Sequence, residues 1–243
     1  MRFSFNSNTS HRARQRAAAL VVALGLAAGH AQAALVTTSN TGTATPVPTP
    51  LVLPAGSLDP HYIRVVAVGG STGGVGLGPS EVASFIPGTW LSASGSSAWI
   101  KPAFAPTPPP FTSSYYQTTF NLSGLNPATA IFSGRFATDD PGGRIYLNGQ
   151  DLLSVGGTYG VSVPGAWTGF GFNGSSLAAG AFNPAVNYLT FQVDHFPGPV
   201  FNPNTGLRVE YSGDALPVPE PASYALFGLG LTTVALLRRR RPA

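Results

Sequence analysis

Apolar and polar residues alternate with a period of two through much of the chain between residues 61 and 211. In 115–122, Tyr116, Thr118, Phe120 and Leu122 share one face, and Gln117 and Asn121 take the other. In 130–136, Phe132 and Phe136 point together while Ser133 and Arg135 turn outward. In 188–194 the inward set is Leu189, Phe191 and Val193. In 207–211 it is Leu207, Val209 and Tyr211, with Arg208 and Glu210 outward. Such alternation marks strands with one face in a core. Shorter strands are expected at 61–68, 90–91, 98–101, 144–147 and 167–172, with a first one within 51–53. Asn148-Gly149 reads as a hairpin turn after 144–147. Residues 69–78 read as a glycine-rich surface loop, and 102–110 as a proline-rich loop outside any sheet. No stretch of the body shows helical amphipathicity. The expected fold class is all-β: an antiparallel, jelly-roll-like β-sandwich over residues 61–213.

The two ends follow other patterns. Residues 17–28 are 12 apolar residues behind four arginines, too short to span a bilayer. Ala31 and Ala33 then stand at −3 and −1 of a signal-peptidase site, so 1–33 reads as a secretory signal peptide. Residues 34–60 read as an extended Thr/Pro-rich linker, with six threonines and five prolines in 36–60. A shorter linker is expected at 214–217. At the far end, Pro219-Glu220-Pro221 is held extended, because each proline lacks an amide N–H and restricts the residue before it. An uncharged run of 16 residues, 222–237, follows. As a transmembrane helix it would reach about 24 Å. Arg238, Arg239, Arg240 and Arg241 then form a basic tail that orients the segment with the body outside.

Pro219-Glu220-Pro221, the apolar run and the four arginines together resemble the PEP-CTERM sorting signal, also called the ice-binding protein C-terminal domain. The resemblance covers about a tenth of the chain. It implies recognition and cleavage by an exosortase in the inner membrane, with transient anchoring there and the body in the periplasm. Delivery to the cell surface or the exterior follows. The word "ice-binding" implies no activity. A second resemblance spans roughly residues 98–213. The runs TTFNLSGLNPATAIFSGRFATDD, RIYLNG, NYLTFQVDH and TGLRVEYSG are similar in pattern to the galactose-binding-like β-sandwich of exported bacterial proteins. That fold class implies glycan contact.

Charge changes the picture once the ends are set aside. The whole chain is basic, with a formal charge of +4. Eight of its 13 basic residues lie in the two end segments. Between residues 17 and 237 five basic side chains stand against nine acidic ones, Glu220 of the C-terminal motif included, a formal −4. Nucleic-acid binding by charge is excluded for such a body. With no cysteine there is no disulfide and no thiolate chemistry.

Candidate chemistry is sparse. The body has only His61 and His195, and no HExxH. An enzyme is not expected. Asp139 and Asp140 are the densest oxygen ligands. They read either as a turn bonded to its own amides or as ligands of a structural Ca²⁺. Trp167, after the turn-forming Pro164-Gly165, and Tyr146 are the aromatic platforms nominated for a sugar ring. Trp99, in an apolar run, is nominated for the core. The expected function is an exported, exosortase-sorted surface or matrix protein contacting exopolysaccharide or building biofilm. The rivals are a secreted polysaccharide hydrolase and a matrix protein without a small ligand.

Overall fold

The computed structural model describes residues 32–92, 94–103, 113–195 and 205–218, together with Gly228, Leu229 and Thr232. The described elements belong to one compact unit, Ala33–Ala243. Twelve strands follow in chain order: β1 (Ala34–Val36), β2 (Leu58–Val65), β3 (Gly76–Val82), β4 (Ile100–Pro102), β5 (Ser113–Asn121), β6 (Ile131–Thr138), β7 (Arg144–Leu147), β8 (Gln150–Asp151), β9 (Thr158–Tyr159), β10 (Thr168–Asn173), β11 (Val186–Asp194) and β12 (Leu207–Ala215). Among the described residues one 3-10 turn, Pro127–Thr129, precedes β6. Asn126 caps it, accepting the Ala128 N–H on its side-chain oxygen at 3.1 Å.

All pairings are antiparallel, in the order β8-β7-β11-β5-β2-β3-β4-β12-β6-β10-β9, with β1 on β12. The expected all-β class is observed. In place of two separate sheets, one sheet curls through β3 and β4 until its halves face each other. The alternation explains why. Phe120 and Tyr116 of β5 and Leu189, Phe191 and Val193 of β11 are buried on one inner face. Phe132, Phe136, Phe170, Phe172, Val209 and Tyr211 are buried on the other. Rings meet across the gap: Phe120 and Phe132 have centroids 4.4 Å apart, and Phe170 and Phe191 5.7 Å. Aromatic pairs in these geometries add to the area they bury. Tyr159 of β9 bonds both carboxylate oxygens of Asp151 in β8 at 3.1 and 3.2 Å, tying the two edges of the curl together.

Asn148 and Gly149 join β7 to β8 with φ of 48° and 86°, as the hairpin reading requires. A Cβ on Gly149 would sit 2.4 Å from the Gly69 carbonyl, because the 69–74 loop lies against this turn.

Several expectations need correction. The 34–60 stretch is no exposed linker over its first third. β1 pairs with β12, and Thr38, Ser39, Asn40, Thr41 and Thr43 are buried. Here side chains do the work of a ladder: Asn40 Oδ1 accepts the Tyr211 N–H at 3.0 Å, and Thr41 Oγ1 accepts the Val209 N–H at 3.0 Å. Residues 51–53 form no strand, although Val52 bridges Thr43. The supposed 214–217 linker contains the end of β12 and a bridge from Pro217 to Leu125. Trp90 lies outside any strand but is buried. Within the nominal glycine-rich loop, β3 already begins at Gly76. Arg208, read as outward, is only 1% exposed.

Residues 1–31, with Ala31, lie outside the described residues. Ala33 is exposed, directly before β1. Pro219, Glu220, Pro221 and Arg238 to Arg241 also lie outside. Of 222–237 only Gly228, Leu229 and Thr232 are described, all helical, and Thr232 Oγ1 donates to the Gly228 carbonyl at 2.7 Å. No helix among the described residues is long and apolar enough to cross a membrane.

Candidate functional site

Trp167 sits just before β10, on the outer face of the β12–β6–β10 half. The register places Arg208 opposite Ala137 and Glu210 opposite Arg135, while Gly169 of β10 faces Arg135. Small residues at Ala137 and Gly169 leave room for the indole. Both guanidiniums stack on it, with Arg135 Cζ 4.5 Å and Arg208 Cζ 4.8 Å from the ring centroid. Trp167 is half-buried and packs against the buried cluster of Ala83, Trp90, Trp99 and Ala137. Its ring is therefore already engaged by the protein's own cations.

Glu210 organises this surface. Its Oε2 accepts from Arg135 Nε at 2.9 Å and Nη2 at 2.6 Å. Its Oε1 accepts from Ser96 Oγ at 2.8 Å and Ser97 Oγ at 2.7 Å. Burial pushes the Glu210 carboxyl up, but the bonds from Ser97, Ser96 and Arg135 outweigh it and hold the pKa below the usual value of 4.5. The sign follows: a depressed folded pKa adds stability that is complete above the unfolded value and lost as pH falls through the folded one. Glu210→Gln is expected to flatten the decline in melting temperature below about pH 4.5. Thermal melts of both proteins from pH 3 to 7 check this; parallel curves would refute it. A groove of about 410 Å³ opens beside the pair, lined by Asn40, Ser133, Arg135, Glu210 and Ser212 among others.

Tyr146 lies on the outer face of the opposite half. It pairs with Thr190 in β11, and Gln192 stands between Arg144 and Tyr115. Tyr146 Oη donates to Gln192 Oε1 at 2.7 Å. Gln192 Nε2 donates in turn to Asp194 Oδ1 at 2.5 Å and Ser113 Oγ at 3.2 Å. Burial raises the Tyr146 phenol pKa. Arg144 opposes the shift, and nearby Tyr115 and Asp151 add to it. At the far end of the face the glycine loop forms a wall. A Cβ on Gly73, where φ is 82°, would press to 2.6 Å from the Tyr188 ring. The result is a half-buried face with tyrosine rings and a fixed chain of amide, hydroxyl and carboxylate groups.

Asp139 and Asp140 follow β6, and the structure brings His195 to them from the end of β11. His195 Nδ1 lies 3.1 Å from Asp139 Oδ2 and 3.4 Å from Asp140 Oδ2. The hydrogen bond to Asp139 is the main cause of a raised His195 pKa, with burial opposing it. Burial is the main cause of a raised Asp139 pKa, with the His195 bond opposing it. Beside this cluster, Thr138 Oγ1 donates to the Asp140 carbonyl at 2.6 Å. Sequence reasoning missed His195 here. A partner 55 residues away leaves no local spacing signal.

Comparison with known proteins adds one finding. Residues 217–241 match the PEP-CTERM protein-sorting motif. No curated protein and no solved structure matches the chain. The motif implies export and exosortase-dependent processing of an extracellular or surface protein. What the fold and the motif together define is an all-β body carrying a sorting signal at its C-terminal end.

Proposed function

We propose that this exosortase-sorted protein serves the cell surface or matrix by binding rather than catalysis. Its body contacts exopolysaccharide through the outer face of β7, β11 and β5. The single observation that carries the reading is the Tyr146–Gln192–Asp194 chain beside Tyr115. Flat phenol rings suit the C–H faces of a pyranose, and a pre-ordered polar chain suits its hydroxyls, with little ordering entropy left to lose. Tyr146 supports this role better than Trp167, whose ring already carries Arg135 and Arg208. The signal peptide, the membrane-anchoring run 222–237 and the basic tail of Arg238 to Arg241 deliver the body, and Glu220 is the residue the exosortase reads.

Two variants test the reading. Glu220→Ala in the native host is expected to leave the C-terminal segment uncut, seen as a higher intact mass; a normal mature mass refutes that role. Tyr146→Ala is expected to keep the wild-type melting temperature within a few degrees and to lose retention on an affinity gel of the host's exopolysaccharide. Undiminished retention places any glycan contact elsewhere.

A further inference from the structure

Asp139, Asp140 and His195 offer ligand atoms that all lie within 4.8 Å of one another. Three such side chains alone would make a hydrogen-bonded turn. The surrounding buried oxygens point further. The Asp139 side chain is 1% exposed, yet its second oxygen, Oδ1, has no hydrogen-bond partner among the described residues. The Tyr116 hydroxyl, on a fully buried side chain, has none either, nor does Thr205 Oγ1. Tyr116 is close enough to feel this carboxylate: burial raises its phenol pKa, and the Asp139 charge raises it again. Buried polar atoms without partners are costly, a carboxylate oxygen most of all. The His195 contact uses Oδ2 and does nothing for Oδ1.

We propose that Asp139, Asp140 and His195 bind a divalent first-row transition cation that pins the end of β6 to the end of β11. Tetrahedral ligands at zinc bond lengths stand roughly 3.3 Å apart. The observed 3.1 and 3.4 Å from His195 Nδ1 to the two carboxylates need little adjustment. An imidazole nitrogen among carboxylates suits zinc or manganese better than calcium, which takes an all-oxygen shell of six to eight ligands. The cation balances both carboxylates, and Asp139 Oδ1 gains a partner by binding it bidentately. A chain without cysteine would gain here the cross-link between strands that a disulfide gives other exported proteins.

The test uses the full exported protein, untagged and stripped with a chelator, titrated calorimetrically with Zn²⁺, Mn²⁺ and Ca²⁺. One Zn²⁺ per chain is expected, with a melting temperature that rises on zinc addition. X-ray absorption should show oxygen and nitrogen neighbours with a single imidazole. His195→Gln is expected to weaken zinc binding by at least roughly 100-fold and to lose the thermal response. Asp140→Asn, at a half-buried position, is a second variant that keeps the buried carboxylate intact. Zinc binding that neither variant weakens overturns the site, as does no binding at all. Stabilisation by Ca²⁺ equal to that by Zn²⁺ overturns the assignment of the cation.

Discussion

Trp99→Ala is expected to remove a large share of the domain's stability. The Trp99 side chain is fully buried and heads the largest such side chains in the fold. Its ring lies 4.5 Å from that of Trp90, and its Nε1 donates to the Leu91 carbonyl at 2.8 Å. Gly206 allows both indoles to close on the chain; a Cβ there would sit 2.7 Å from Trp90. Truncation leaves a cavity and costs about 3–5 kcal/mol. Total stability is about 5–15 kcal/mol for a domain of this kind. At roughly 2–4 °C per kcal/mol, the melting temperature should fall by some 6–20 °C. Urea denaturation and thermal melts read both quantities. A change under about 1 kcal/mol would show that the Trp90–Trp99 pair is not a core.

The same part of the molecule shows what a sequence reveals and what it hides. Phe132, Phe136, Leu189, Phe191 and Val193 were legible because one sheet face meets a core and the other meets water, a contrast with period two. Asn148-Gly149 was legible because few residue types tolerate positive φ twice in succession. Arg208 fell on the correct outer face, yet its burial was invisible. The cover comes from Leu91, Ser92, Ser94 and Ser97, more than 100 residues earlier. Residues 38–43 looked like linker because threonine and asparagine give no apolar period; their side chains bond β12 directly. The Tyr146 nomination named one ring of a face whose polar chain needs three strands to assemble. The sorting motif was fully legible because it is one continuous stretch of sequence, matched over residues 217–241.

Arg208→Ala should be nearly as damaging as Trp99→Ala, although its charge would suggest a surface residue. Its Nε donates to Ser97 Oγ at 2.8 Å, its Nη2 to Ser94 Oγ at 2.7 Å, and its Nη1 to the Ser92 carbonyl. Glu210 Oε1 stands 3.8 Å away. Burial lowers the guanidinium pKa and Glu210 counters it; an arginine side chain stays charged in proteins. Removing the side chain leaves buried carbonyls and hydroxyls without a donor and strips one cation from Trp167. Breaking a buried, bonded charge in this way costs about 3–5 kcal/mol. Arg208→Lys should recover only part of this, because an ammonium lacks the fork that reaches Ser94 and Ser97 together and stacks less well on indole. Arg135→Ala is the internal comparison. It removes the other cation from the same ring, but from a half-exposed side chain, so about 1 kcal/mol is expected. Chemical denaturation of the three variants gives the order Arg208→Ala, Arg208→Lys, Arg135→Ala from most to least destabilised. If Arg135→Ala proves the more damaging, the ion pair with Glu210, rather than the buried serine network, holds this face together.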